Sequence, residues 1–234
     1  MGKDWIKNTC WDNESFVKGA VRGVVVTFAG LNNRYRDEAG MLDIAFGEAG
    51  MLVISPYYGP WSWMNRSARA FVDELLAAVY REYSLSDDIP LVSSGGSMGG
   101  CAALLYCRYG ARQPVACDAL YPVCDTVSHF GERPDLPPTF YHAFYGYPEP
   151  MEEILREHSP LHQADRMPDI PYLVIHGDAD AAVNKMIHSD RMVAELRRLG
   201  RNVEYIEVPG MGHGRNVPMS VYQKQLDFIT AFAR

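Results

Sequence analysis

The sequence predicts an α/β protein built on a mostly parallel sheet with helices on both faces. Three observations carry that prediction. Short apolar, β-branched runs recur along the 234 residues and are bounded by glycine or proline. The stretches between them show helical spacing, and no internal repeat or low-complexity linker divides the chain. Strands alternating with helices assemble as βαβ units, which bury a parallel sheet beneath helices on each side.

The elements follow in order. "VRGVVVTF" (21–28) and "MLVIS" (51–55) are continuously apolar, as strands buried on both faces must be. Phe71, Leu75 and Val79 then share one face of a helix. "IPLVSS" (89–94) reads as a strand feeding the helix "CAALLYCRYG" (101–110), and "VACDALYPV" (115–123) as the next strand. Two more strands are "PYLVIHG" (171–177) and "NVEYIEVPG" (202–210). Between them Met192, Leu196 and Leu199 recur at helical spacing, and Gly200 supplies the stop. Tyr222, Leu226 and Ile229 mark a last helix. The rhythm breaks between about 125 and 168, a proline-rich stretch carrying Phe130, Phe140, Tyr141, Phe144, Tyr145 and Tyr147. Only "MEEILREH" (151–158) in it has a helical pattern. The chain is therefore expected to be one domain over 1–234, with an insertion that is either a lid or a layer covering the sheet.

Composition narrows the function. Hydrophobic residues make up 47% and charged residues 22%, as in ordinary globular proteins. Acidic residues outnumber basic ones, 29 to 22, and no basic stripe interleaves with aromatics, which argues against nucleic acid as a partner. No apolar run is long enough to span a bilayer, and the polar N-terminus does not resemble a secretory signal. A cytoplasmic protein without membrane attachment is the expectation. Five cysteines without a CxxC pair read as small buried hydrophobes rather than a disulfide framework or a zinc site. No metal or organic cofactor is implied.

In parallel sheets, ligands bind at the carboxyl ends of the strands. There the sequence places "VSSGGSMGGCAALLY" (92–106). Of its serines only Ser97 is flanked by glycine at minus two and plus two, Gly95 and Gly99, between a strand and a helix. That is the pattern of a nucleophile elbow, in which the serine sits in a strained turn and the helix N-terminus faces the reacting carbonyl. The backbone N–H of Met98 then becomes one oxyanion donor. A serine nucleophile needs a base, and the base needs an orienting carboxylate. "HGDADAAV" (176–183) places Asp180 just past one strand, and "PGMGHG" (209–214) places His213 past the next. Asp178 and Asp125 are rival acids, and a helix-capping role is the alternative for Asp180. His176 reads as structural, holding the acid loop. The order Ser, Asp, His across successive strand ends is the one this kind of sheet requires.

Together GGSMGG, HGDADAAV and GMGHG resemble the α/β-hydrolase superfamily. "HSPLHQADRMPDIPYLVIHGDAD" and "NVEYIEVPGMGHG" are similar to the prolyl-oligopeptidase-like branch and its small esterase relatives, among them feruloyl and acetyl esterases. The resemblance runs from about Val21 to the C-terminus. It implies Ser97 as nucleophile, Asp180 as acid and His213 as base and then acid; the propeller domain that the large oligopeptidases use to restrict access is not expected here. It also implies a second oxyanion donor from the loop after the first core strand, here "TFAGLNNRY" (27–35), with Leu31 or Asn32 as the backbone donor. Some peptidases of this branch use a tyrosine hydroxyl where Phe28 stands; Phe28 has none to offer, which favours esters over peptides. The short region before Val21 leads to the expectation that the sheet lacks the fold's first strand or two.

The expected partner is a small-molecule ester. Tyr57, Tyr58, Trp61 and Trp63 in "PYYGPWSWMN" (56–65), with Phe144, are candidates to wall an apolar or aromatic pocket. Packing beneath the loops is the alternative reading of those rings. A peptidase and a non-catalytic binding protein on the same fold are the competing functions.

Overall fold

The computed structural model describes residues 2–32 and 36–234. Its seven-stranded sheet has the order β1-β3-β2-β4-β5-β6-β7. The strands are β1 Cys10–Asp12, β2 Gly23–Phe28, β3 Met51–Pro56, β4 Leu91–Gly96, β5 Ala116–Leu120, β6 Tyr172–Gly177 and β7 Val203–Val208. Strands β2 to β7 pair in parallel, and β1 runs antiparallel along β3 with Cys10 opposite Pro56. The sheet thus has an edge strand that the sequence reading left out. Three polar-flanked residues carry no period, and the preceding helix α1 (Lys3–Thr9) buries only Ile6.

Each central strand is covered on both sides, which is why its sequence does not alternate. In β2, Val24, Val26 and Phe28 join a core with Leu75, Leu76 and Val79 of helix α3 (Arg66–Glu82) and Leu105 of helix α4 (Met98–Tyr109). Val25, one residue out of phase, packs with Phe46 of α2 (Met41–Glu48) and Ile229 of α9 (Met219–Thr230) on the other face. Burying one such valine or leucine contributes about 1.5–3 kcal/mol relative to exposure. Helix α4 runs through the middle of the molecule with Met98 to Cys107 all buried.

The insertion is more regular than its sequence suggests. It holds three helices, α5 (Thr126–His129), α6 (Leu136–Ala143) and α7 (Met151–Glu157), and a 3₁₀ turn over Leu161–Arg166. The prolines that argue against helix at Pro137 and Pro138 fall in the first turn of α6, where a missing N–H breaks no helical bond. Phe140 and Phe144 are buried in the core, and Phe130 and Tyr147 pack against it. Phe140 is wholly buried and stacks on Trp63 with centroids 4.1 Å apart, and Trp63 Nε1–H donates to Thr139 Oγ1 at 2.9 Å. Tyr141 and Tyr145 alone among the insertion's large rings stand well exposed. Helix α8 (Ser189–Arg198) completes the layer between β6 and β7. Among the described residues no helix is long and apolar enough to cross a membrane.

Candidate active site

The turn from β4 into α4 fixes the first residue of the site. Ser97 has φ 60° and ψ −126°, a left-handed conformation that costs a non-glycine residue about 1–3 kcal/mol. Close backbone approach makes that turn possible. A Cβ on Gly95 would overlap the Gly99 carbonyl, and one on Gly99 would overlap the Phe28 carbonyl. Ser97 N–H donates to Leu120 O at 3.0 Å, and its carbonyl accepts from Cys101 and Val123. The backbone is therefore held by β5 and α4, and the hydroxyl is left to face the cavity. Ser94 lies within β4 with its hydroxyl on Asp118, and Ser93 donates to Ala103 O, so neither reaches that position.

The loops after β6 and β7 bring the partners. His213 Nδ1–H donates to Asp180 Oδ2 at 2.7 Å, and Ser97 Oγ–H donates to His213 Nε2 at 2.9 Å. Asp180 Oδ1 accepts from the N–H groups of Ala182 and Val183 at 2.8 and 2.9 Å, so the same side chain also caps its own turn. Burial by itself would raise the Asp180 pKa. Hydrogen bonds from His176, His213 and Val183 outweigh it and hold the carboxyl well below the usual carboxylate range. The rival acids are spent elsewhere. Asp178 accepts from Gly210 N–H at 2.6 Å, and Asp125 caps α5 through Ser128 while pairing with Arg191. His176 is wholly buried and braces the acid loop: Ser189 Oγ–H donates to its Nδ1, and its Nε2–H reaches Val183 O at 3.0 Å and Asp180 Oδ2 at 3.3 Å.

A cavity of about 550 Å³ opens over Ser97 and His213, and Leu31, Met98 and Trp63 share its wall. As the first residue of α4, Met98 has an N–H without an intrahelical partner. Of the two expected donors of that loop, Asn32 N–H is taken by Pro60 O at 3.0 Å, and Leu31 lines the cavity. Of the five rings expected to wall a substrate pocket, only Trp63 does so among the described lining residues. Two of the others support the Leu31 loop from behind. Tyr58 is buried with its hydroxyl on Ala29 O at 2.7 Å, and Trp61 Nε1–H donates to Asn32 Oδ1. Tyr57 bonds Arg36 O, and Phe144 packs on His158 at 4.4 Å. Tyr58 and Trp61, past the end of β3, thus fix the loop rather than line the cavity.

Three lining residues escaped the sequence reading. Tyr121, immediately past β5, tilts over the His213 ring at 4.6 Å; its place at a carboxyl strand end beside the elbow was a usable signal. His129 and Arg133 come from the insertion, and Arg133 Nη1–H donates to Ala182 O at 3.1 Å, tying the insertion to the acid loop. Behind them His129, Glu132 and His188 lie within metal-ligating distance of one another. Their protonation opposes a metal. His188 Nδ1 accepts the N–H groups of Cys124 and Asp125, so Nε2 carries its proton and donates to Glu132 Oε2 at 3.2 Å. Glu132 receives a second bond from His129 and is held down at about 2 although burial opposes this.

Fold and site together define a serine hydrolase of the α/β-hydrolase class. Residues 67–234 match the prolyl oligopeptidase family, and the chain belongs to that family. No curated protein sequence matches it. Among solved structures, it is similar to a puromycin-hydrolyzing peptidase of Mycobacterium tuberculosis (22% identity, TM-score 0.73, 92% of this chain and 35% of the other). An acylaminoacyl peptidase of Pyrococcus horikoshii is similar at 15% identity and TM-score 0.75, covering 92% of this chain and 38% of the other. The chain thus spans little more than a third of these peptidases. A truncated carbohydrate esterase from gut microbiota matches at 17% identity and TM-score 0.67, over 92% of this chain and 87% of the other. At such identities the likeness is one of fold.

Proposed function

We propose that the protein hydrolyses carboxylic esters of small molecules through an acyl-enzyme on Ser97. The observation that carries this reading is the unbroken chain from Asp180 Oδ2 through the His213 ring to Ser97 Oγ, at 2.7 and 2.9 Å. His213 Nε2 takes the Ser97 proton as Oγ attacks the ester carbonyl, and the tetrahedral oxyanion receives the N–H groups of Met98 and Leu31. His213 then gives that proton to the departing alcohol. Water enters, loses a proton to His213 and attacks the acyl-enzyme, and the proton returns to Ser97 as the acid leaves. Asp180 remains ionised throughout, fixing the Nδ1–H tautomer and stabilising the imidazolium.

Two features favour an ester over a peptide. Phe28, which the resemblance aligns with a tyrosine donor of some peptidases, has no hydroxyl and is buried against Tyr58 and Tyr106, so the oxyanion is left to backbone donors. Among the described residues lining the cavity there is no Asp or Glu to anchor a peptide amine. Trp63 and Tyr121 in the wall suit a bulky or aromatic acyl group. The family match favours a second reading, a peptidase acting on short peptides. Parallel assays on aryl esters of graded acyl size and on peptide anilides separate the two. Turnover of esters alone, rising with acyl bulk, is expected; anilide turnover at comparable kcat/KM overturns the ester reading.

A further inference from the structure

A second cavity, about 460 Å³, lies on the α2/α9 face of the sheet, walled by Val25, Val53, Phe46 and Ile229. Gly96 and Tyr121 stand between it and the cavity over Ser97, lining both. At the sheet, it meets a group the proposed chemistry does not use. Asp118, in the middle of β5, is wholly buried, and its Oδ2 accepts from Ser94 Oγ at 2.8 Å and from Gln225 Nε2 at 2.7 Å. Its Oδ1 is buried without any hydrogen-bond partner.

That is an uncommon way to leave a carboxyl. A buried carboxylate ordinarily has a cation or a full set of donors, because an unsatisfied buried oxygen carries its whole desolvation cost. Here both donors are neutral. Among the described residues lining the cavity, the one cation is Arg36, and it is engaged with Asp43. Burial accordingly pushes Asp118 up to about 6, against the two hydrogen bonds, so the group is largely ionised at neutral pH, and no described residue lining the cavity is free to supply a counter-charge. An ordered water would satisfy a lone pair on Oδ1 but would not neutralise the charge. A ligand ammonium does both, and the aliphatic and aromatic wall accepts the body that carries it.

We propose that this second cavity binds a small primary ammonium ligand on an apolar body, with Asp118 Oδ1 as its anchor, separately from the cavity over Ser97. The site is independent of what Ser97 hydrolyses, so its test requires no turnover. Calorimetric titration of the full chain with n-butylammonium chloride is expected to give saturable one-to-one binding. Asp118→Asn, which keeps the shape and removes the charge, should weaken it at least tenfold, and n-butanol should bind wild type at least tenfold more weakly than the ammonium. Protein phosphonylated at Ser97 should retain the affinity. Crystals of the wild type soaked in the same salt supply a measurement that does not depend on the variant folding; the ammonium nitrogen is expected within hydrogen-bond distance of Oδ1. Absence of saturable binding, which would mean a hydrated cavity only, overturns the proposal. So does equal affinity in Asp118→Asn or for butanol, loss of binding on phosphonylation, or soaked ligand located away from Asp118.

Discussion

At the scale of single residues the site is a chain of hydrogen bonds with one assignable proton arrangement. Asp180 is ionised, so the His213 proton sits on Nδ1 and Nε2 is free to take the Ser97 proton. Asp180→Asn reverses that preference, since an amide can present its NH₂ to Nδ1 and put the proton on Nε2. A fall in kcat of about 10⁴-fold is expected with a much smaller change in KM; steady-state kinetics on one good aryl ester measure both. Acidification should also lower kcat/KM, because a protonated His213 cannot act as base. The depressed Asp180 carboxyl adds a stability effect with a definite sign. Its contribution is complete above the unfolded-state value of about 3.9 and is lost as pH falls through its lower folded value. Denaturant melts of wild type and Asp180→Asn should therefore converge as the pH is taken below about 4.

At the scale of elements, the strands were legible because burial on both faces leaves an uninterrupted apolar run, as in Val24 to Val26 and Leu52 to Ile54. The elbow was legible for a different reason: Gly95 and Gly99 are demanded by backbone contacts that any side chain would obstruct. Helix α6 was not legible. Its prolines are a breaker signal in sequence and a harmless one in the first turn, and nothing local says which applies. The aromatic loop failed similarly, since a ring that pins a backbone and a ring that touches substrate look alike until the fold is closed. Tyr58 on Ala29 O and Trp63 on Phe140 are of the pinning kind, although Trp63 also reaches the cavity. Phe140→Ala removes one ring of that buried stack. It should cost about 3–5 kcal/mol in denaturant unfolding, and it should raise KM for bulky esters through the loosened Trp63.

For the whole molecule, the sheet divides two chemistries. Its carboxyl edge gathers Ser97, Asp180 and His213 from three separate loops, and its α2/α9 face buries Asp118 beside an open cavity. Long-range pairing of this kind leaves no local trace in sequence. Asp118 lies in an otherwise unremarkable apolar strand, and its lack of a free counter-charge among the described residues lining the cavity emerges only once β4, β5 and α9 are packed. Its raised value predicts a global effect opposite in sign to that of Asp180. With a folded value of about 6 against about 3.9 unfolded, the native state holds the proton more tightly. Stability is favoured below about 4 and declines as pH rises to 6, by on the order of 3 kcal/mol. Asp118→Asn should flatten that decline, so its stability relative to wild type should improve between pH 4 and pH 7 in denaturant melts.

The central claim is that Ser97 is the nucleophile of an ester hydrolase. Its most direct test is treatment with an aryl phosphonate while ester turnover is followed, with the adduct located by mass spectrometry. One phosphonyl group on Ser97, gained in step with the loss of turnover and absent from Ser97→Ala, is the expected result. Labelling at another residue, or near-normal ester turnover by folded Ser97→Ala, would contradict it.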